Sequence, residues 1–430
     1  MILTLGLMMA AAPDAQAFCG AYVGSVDDGP LSNHSSKVIL ARDGLRTTLT
    51  LSNDIQGSAS DFAMLIPVPS LEEQDVRVLD PTVVEAVERY SSPRLVSYTC
   101  EDFYVAPRNF SPSMGCDEYE LMPQSNDVPA LNNDVTVEAQ FLVGEYEIVV
   151  LSAEESEGLM LWLEHEGYGV PENTEALLQD YIDQGTQFMA AKVSLEALED
   201  GPLWLNPLQI SYESDTIGLP ITLGTANSPG EQELTIYALT SWDEGQLAIS
   251  NYPKRQVETR DCMLEEGVDF SEHFYGELDQ AFDNEDGRAG WVFEYGWAPT
   301  HCDPCVDGEA LAESLVEELG FSQGSQAAYF SKLRMRYTPD QVLGDLNLVG
   351  SRITDNEQVR YIAFNASMGD RFEVCGQGFV ESLGDCYDEF DDMDQEYKGN
   401  KRGCSSQPMG RGWMVLGLIG VLLMARRRAR

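Results

Sequence analysis

Basic residues are scarce in this chain of 430 residues. It contains 26 Lys and Arg against 72 Asp and Glu, which gives a formal net charge of −46 at pH 7. Binding to nucleic acid depends on basic side chains that neutralise phosphates, so this balance excludes that function. Two interpretations of the acidity stay open. It keeps the surface soluble, or it adapts the protein to salty surroundings, where ions screen a dense anionic shell.

Histidine and the common catalytic motifs are scarcer still. The chain has four His residues and no G-x-S-x-G sequence, so a Ser–His nucleophilic site is not expected. His165 and His273 fall within predicted helices, where we expect surface or packing roles. Glycine-rich phosphate-binding loops are absent. Carboxylate pairs occur throughout so acidic a chain and therefore indicate no specific site.

Metal-binding patterns are incomplete. The acidic run at residues 283–287 lacks the first ligand of an EF-hand loop, because Phe282 stands at that position. A zinc site formed by His301, Cys302 and Cys305 lacks a fourth ligand. We therefore expect no metal and no other cofactor, with calcium as the one alternative that the acidic surface leaves open.

The N-terminus is apolar but carries no positive charge, since no Lys or Arg precedes Lys37. Residues 2–12 are apolar, and Ala15-Gln16-Ala17 supplies the small-x-small pattern of a cleavage site. This predicts a signal peptide over residues 1–17, cut after Ala17 by signal peptidase.

The C-terminus combines an apolar segment with an arginine cluster. Residues 412–425 are predicted as a transmembrane or sorting segment, and residues 426–430 as a basic cytoplasmic tail. The apolar segment is shorter than the roughly 20 residues of an ordinary spanning helix, which fits a segment that is recognised and cut. The body is therefore expected to be exported and to lie outside the cytoplasm, anchored to the membrane or at the cell surface.

Nine cysteines are present, and an exported body favours disulfides. Apart from Cys404 in the tail, the candidates are Cys19, Cys100, Cys116, Cys262, Cys302, Cys305, Cys375 and Cys386. Proximity in the sequence suggests Cys100 with Cys116 and Cys375 with Cys386. If Cys302 pairs with Cys305, Cys19 and Cys262 remain to pair with each other. The sequence alone cannot choose among the alternatives.

Short β-branched or aromatic runs bounded by Gly, Asn or Pro predict strands. Sets of three such strands recur in the same order, which indicates duplication of one β unit, with chance likeness among strand-rich segments as the alternative. The first set covers residues 37–43, 46–52 and 61–68, the second 208–214, 219–225 and 233–240, and a weaker third 332–338, 346–349 and 359–365. The strand patterns at residues 135–143 and 145–151 predict a hairpin about Gly144. Helical patterns cover residues 81–90, opened by Asp80-Pro81, 152–167, where Ser152 with Glu155 predicts a capping box at the N-terminus, 174–183, 271–283 and 308–319.

The predicted fold is α+β, with antiparallel β-sheets built from a duplicated three-strand unit, helices packed on one side, and disulfides. Residues 18–250 form a β-rich N-terminal part with two copies of the unit, and residues 251–376 form an α/β C-terminal part with the CxxC pair. The charged residues 377–411 are expected to form an acidic disordered spacer.

Cys302-Asp303-Pro304-Cys305 is the one motif that could carry chemistry. It follows a predicted strand and precedes an amphipathic helix, which resembles the active-site segment of thioredoxin-like oxidoreductases. There a helix N-terminus stabilises one thiolate and the second cysteine resolves the mixed disulfide. His301 would add to that stabilisation, and Thr338-Pro339 is a candidate for the cis-proline beside the motif. The alternative is a structural clip, because no βαβ unit precedes the motif and residues 306–308 separate it from the helix start.

Several blocks in order resemble the bacterial domain-of-unknown-function family 2330. They are NHSSKVILARDGLRTTLTLSNDIQGSASDFAMLIPVPS, SSPRLVSY, VTVEAQFLVGEYEIVVLSAEESEGLMLWL, LQISYESDTIGLPITLGTANSPGEQELTIYALT and CDPC. The resemblance covers residue 18 to about residue 375 and implies no activity, so it transfers no catalytic residue.

The tail resembles the MYXO-CTERM class of sorting signal, which implies cleavage by a myxosortase near Cys404. We expect an envelope-displayed binding or structural module without enzymatic activity and with an unknown ligand. The alternative is an extracytoplasmic thiol–disulfide oxidoreductase that uses Cys302 and Cys305.

Overall fold

The computed structural model describes residues 20–25, 31, 36–55, 61–98, 135–171, 174–194, 203–228, 230–257, 261–283, 287–301 and 310–381. Outside these ranges lie the predicted signal peptide with Ala17, nearly all of the predicted spacer, the sorting segment and the basic tail. Seven cysteines also lie outside them, namely Cys19, Cys100, Cys116, Cys302, Cys305, Cys386 and Cys404. Within the described ranges, none of the helices is both long enough and apolar enough to cross a membrane.

Short strands make up most of the described chain. In chain order they are β1 (Ala21–Ser25), β2 (Ser36–Asp43), β3 (Arg46–Ile55), β4 (Asp61–Val68), β5 (Val76–Val78), β6 (Arg94–Val96), β7 (Val135–Val143), β8 (Tyr146–Ala153), β9 (Tyr168–Gly169), β10 (Gln187–Ser194), β11 (Leu203–Trp204), β12 (Leu208–Glu213), β13 (Ile217–Leu219), β14 (Gln232–Ser241), β15 (Leu247–Ile249), β16 (Lys254–Arg255), β17 (Gly290–Trp297), β18 (Ala328–Tyr337), β19 (Leu346–Gly350), β20 (Glu357–Gln358) and β21 (Arg360–Ile362). The α-helices are α1 (Thr82–Ser91), α2 (Ser156–His165), α3 (Thr174–Asp183), α4 (Ile221–Gly224), α5 (Phe270–Phe282) and α6 (Glu313–Glu318).

Two large sheets organise these strands. One has six strands in the order β7-β8-β10-β4-β1-β9, all antiparallel. The other follows β16-β17-β18-β14-β2-β3-β12-β5, with β11 on β3 and β20 on β17. Its parallel pairs are β14 with β2 and β16 with β17. Smaller sheets are β13-β19-β15 and the parallel pair β21-β6. The predicted class, α+β with mostly antiparallel sheets, is confirmed.

The main core lies between the two large sheets. Side chains alternate between the faces of a strand, so every second residue of each sheet points into this core. The six-stranded sheet contributes Phe62, Met64, Ile148 and Met189, and the ten-stranded sheet contributes Leu40, Leu234, Phe293 and Leu333. Two further cores cover the outer faces. Helices α2 and α3 pack on the six-stranded sheet, and α1 and α6 pack on the ten-stranded sheet. Each large sheet thus has these helices on one face, and the layers follow the order α–β–β–α.

The repeated strand sets do not pair alike. In the first set β2 and β3 form a hairpin, while β4 belongs to the other large sheet. In the second set β12 pairs with β3 instead of with β13, and β14 pairs with β2. The predicted strand at residues 219–225 is wrong beyond Leu219, because Pro220 has no N–H for a ladder and α4 follows it directly. Strands from both sides of residue 250 share the ten-stranded sheet.

Local signals predicted several elements correctly. The hairpin of β7 and β8 turns at Gly144, whose φ of 58° favours glycine. The helices predicted at residues 81–90, 174–183 and 271–283 correspond to α1, α3 and α5. The predicted N-cap at Ser152 is wrong. That residue lies in β8 opposite Thr136, its hydroxyl donates to the Glu138 carboxylate, and α2 begins only at Ser156.

Candidate functional site

The outer face of the ten-stranded sheet carries a group of buried charges. We name Glu233, Glu294, Lys332, Arg334 and Arg336 the buried charge cluster. Alternation along β18 places its three basic residues on the face opposite the main core. Glu233 lies on the neighbouring strand β14, and Glu294 lies on β17 at an irregularity in the register with β18. Such a bulge re-aims a side chain, and here it brings a carboxylate to the basic residues.

Glu294 is the centre of the cluster. Its side chain is 1% exposed, and its Oε2 lies 2.8 Å from Lys332 Nζ. Its Oε1 accepts a hydrogen bond from Arg334 Nε. Burial alone would raise the pKa of Glu294, but the charges and hydrogen bonds of Arg334 and Lys332 outweigh burial and lower that pKa to about 2. Both oxygens are engaged and the carboxylate is a very weak base, so Glu294 is not suited to general-base catalysis.

Lys332 is the second group with a perturbed pKa. Burial lowers the pKa of this ammonium, and the charge of Glu294 opposes the change. Its Nζ also lies 5.8 Å from the centre of the Tyr237 ring. A lysine with a lowered pKa is a candidate nucleophile. The side chain is only 6% exposed and its Nζ is paired with Glu294, so a dissolved substrate has no access to it.

Further ion pairs, in the cluster and beside it, connect the sheet to two helices. Glu233 accepts from Arg334 and from Arg336, the latter at 3.0 Å. Arg336 also pairs with Asp279 of α5 at 2.7 Å. Nearby, Glu88 of α1 pairs with Lys37 of β2 at 2.7 Å. The charges therefore join helices to the sheet, which is a structural role.

Sequence reasoning missed this cluster because acidic residues occur everywhere in the chain. One signal was present. The strand KLRMRY places three basic residues at every second position in a sequence that has few of them. Such a pattern on a strand with apolar residues between them indicates one charged face, and burial of that face requires acidic partners.

The histidines lie apart from the cluster. His165 is exposed on α2, with its Nδ1 3.8 Å from a Glu166 carboxylate oxygen. His273 lies on α5, and its ring packs edge-on against Tyr361 with centroids 4.9 Å apart. The predicted surface and packing roles are confirmed. Across the part of the chain that the structure describes, no three His, Cys, Asp or Glu side chains form a group that could hold a metal ion.

Cys302 and Cys305 lie outside the described residues, but the chain is described up to His301. The hydroxyl of Tyr90 donates to the carbonyl oxygens of Ala298 at 2.9 Å and His301 at 2.8 Å, so α1 fixes the approach to the motif. The prediction that Pro339 lies beside this motif stays a prediction, because both cysteines of the motif lie outside the described residues. Pro339 follows the end of β18 that pairs with the start of β17, about 20 Å along the strands from the end that leads to His301.

One disulfide is described, between Cys262 and Cys375, whose Cα atoms are 5.0 Å apart. The pairing of Cys375 with Cys386, suggested by proximity, is therefore wrong, and so is the pairing of Cys262 with Cys19, which a Cys302–Cys305 pair would have left. The two cysteines lie 113 residues apart in the sequence. They meet because Met263 forms bridges to the C-terminal segment, which no local pattern reveals.

A family model described as "Uncharacterized protein conserved in bacteria (DUF2330)" matches residues 13–349, more than half of the chain. The matched range includes the buried charge cluster, Cys302 and Cys305, and ends before Cys375. No curated protein and no solved structure matches the chain.

Proposed function

We propose a function from the premise that this chain belongs to the DUF2330 family of uncharacterised proteins conserved in bacteria. In this proposal the chain is a non-enzymatic binding or structural module displayed on the cell envelope. The observation that carries this proposal is the Cys262–Cys375 disulfide. Disulfides form and persist mainly outside the cytoplasm, where thiols are not kept reduced. The signal peptide predicted at residues 1–17 and the anchoring tail predicted at residues 412–430 agree with such a location.

The chemistry of the described residues supports a role without catalysis. The groups with strongly perturbed ionisation in the buried charge cluster are paired with one another and shielded from solvent. Catalytic acids, bases and nucleophiles need contact with a substrate and a pKa suited to proton transfer, and these groups offer neither. We therefore infer that the cluster stabilises the displayed β-sandwich.

Surface labelling and mass measurement test the location. Cells that express the full chain are treated with a membrane-impermeant label, and the mature protein is then isolated and weighed. We expect labelling of the body, an N-terminus at Phe18 after cleavage by signal peptidase, and a C-terminus near Cys404 after cleavage by a myxosortase. The variant Cys404→Ala should stay exported but keep its tail. A protein that is unlabelled in intact cells and labelled after lysis would refute envelope display.

The oxidoreductase alternative has its own test. The full chain is assayed for reduction of insulin by a thiol donor, with Cys302→Ser as the matched variant. The proposal predicts no turnover above that of the variant. Turnover that is lost in Cys302→Ser would show that the CxxC pair is redox-active and would overturn the non-enzymatic assignment.

A further inference from the structure

We infer that residues 363–381 form a C-terminal clasp, and that its disulfide carries tension from the tail past strands β17 and β18 of the ten-stranded sheet. The inference rests on the proposed function, in which the tail holds the body at the envelope. The clasp lies between the range matched by the family model, which ends at residue 349, and the tail. Any force between the envelope and the body must pass through it.

The clasp is fastened beside one buried residue of the body. Met263 is fully buried and forms parallel bridges with Ile362 on one side and Val374 on the other. Its N–H donates to the carbonyl of Glu373 at 2.7 Å, and its carbonyl accepts from the N–H of Cys375 at 2.8 Å. The disulfide to Cys262 closes the loop next to these bonds. The chain before the tail is therefore fastened both covalently and by hydrogen bonds.

The rest of the clasp packs on the body and on itself. Phe372 stacks on Tyr98 with ring centroids 5.2 Å apart, and Asn365 donates to the Tyr98 carbonyl at 2.9 Å. The N–H of Val380 donates to the carbonyl of Gly369 at 3.2 Å. Residues 377–381, predicted as the start of a disordered spacer, are thus part of the fold.

The disulfide determines which part of the chain carries a load. The segment between the two cysteines contains α5, β17 and β18, and β18 is the strand that connects β17 to β14. When the two ends of the chain are pulled, tension passes from Cys375 to Cys262 through the sulfur atoms. The segment between these cysteines, which are 113 residues apart, then carries no direct load. Without that bond the same tension reaches Val374 and breaks the bridges around Met263 one after another, which releases the clasp first.

Single-molecule pulling on the full chain, attached through its two ends, tests this inference. We compare the oxidised protein, the protein after reduction, and the variant Cys375→Ser. The cysteines are 113 residues apart, so loss of the bond should lengthen the fully unfolded chain by about 37–41 nm at 3.3–3.6 Å per residue. We also expect the bridges around Met263 to break early, at low force, in the reduced and variant proteins and not in the oxidised protein. An unchanged first unfolding force after reduction would overturn the inference.

Two controls keep the outcome clear. Asp261→Asn removes the carboxylate that pairs with Arg360 at 2.6 Å next to Cys262, and it should change neither the extension nor the first force. Tryptophan fluorescence before pulling reports whether the reduced protein is folded, and unfolding without force would overturn a role specific to tension.

The pulling experiment does not depend on where the protein lies in the cell. An envelope-displayed protein with an unchanged first force refutes the clasp alone, and an unlabelled protein refutes the proposed function.

Discussion

Removing the charge of Glu294 is the most direct perturbation of the buried charge cluster. Glu294→Gln keeps the shape of the side chain but leaves Lys332 and Arg334 without the carboxylate that they share. The pKa of Glu294 is about 2, against an ordinary value of 4.5. At about 1.4 kcal/mol per pH unit, this difference corresponds to about 3 kcal/mol of stability from the ionised side chain. That figure agrees with the roughly 3–5 kcal/mol that breaking a buried ion pair costs.

Urea unfolding at neutral pH, followed by tryptophan fluorescence, measures the loss. The matched control is Glu166→Gln, because Glu166 forms a similar pair with Lys192 at 2.7 Å but its side chain is 29% exposed. For such a pair we expect a loss of at most about 1 kcal/mol. If Glu294→Gln costs no more than Glu166→Gln, the account of the cluster as a buried, stabilising network is wrong.

The same pKa gives the effect of Glu294 a defined dependence on pH. The folded pKa lies below the unfolded one, so the stabilisation is complete above about pH 4.5 and is lost as the pH falls towards 2. The difference in unfolding free energy between wild type and Glu294→Gln should fall from about 3 kcal/mol at pH 6 to about 1.4 kcal/mol at pH 3. A difference that stays constant over this range would contradict the low pKa.

Three further predictions concern the disulfides and the acidic surface. Loss of the Cys262–Cys375 bond, which closes a separation of 113 residues, should lower the unfolding free energy by about 4–5 kcal/mol, measured by urea unfolding of Cys375→Ser. Tyr98 and Val380, each close to where the described chain stops, pack on one small core. Linked peptides in a non-reducing digest should therefore join Cys100 to Cys386, instead of to Cys116 as proximity in the sequence suggested. Adaptation to salt predicts that the unfolding free energy rises between low and high sodium chloride, and an unchanged value would reject it.

Local structure was predictable from the sequence where local chemistry decides it. The turn at Gly144 and the strands beside it follow from alternation and from a glycine with positive φ. Helix α1 follows from Asp80-Pro81, whose aspartate accepts from the N–H of Thr82 at 2.9 Å. Ser152 failed as an N-cap because pairing of β8 with β7 holds it in a strand, and such pairing overrides a local capping preference.

Long-range pairing was beyond the reach of local patterns. Strand β12 pairs with β3 across some 160 residues of sequence, and β14 joins β2 in parallel. The strand segments of the repeated sets were recognisable, but their partners depend on which strands share a core. The buried charge cluster has the same origin, because Glu294 reaches Lys332 and Arg334 only through the irregular pairing of β17 with β18.

The buried cluster and the acidic surface should respond to salt in different ways. Exposed charges are screened by dissolved ions, whereas buried pairs are screened much less. The effect of Glu294→Gln, whose side chain is 1% exposed in wild type, should therefore persist at high salt. Wild type and variant should gain the same unfolding free energy from low to high sodium chloride, with their difference of about 3 kcal/mol unchanged. If the difference shrinks as salt rises, ions reach the cluster, and its charges then belong to the solvated surface instead of the core.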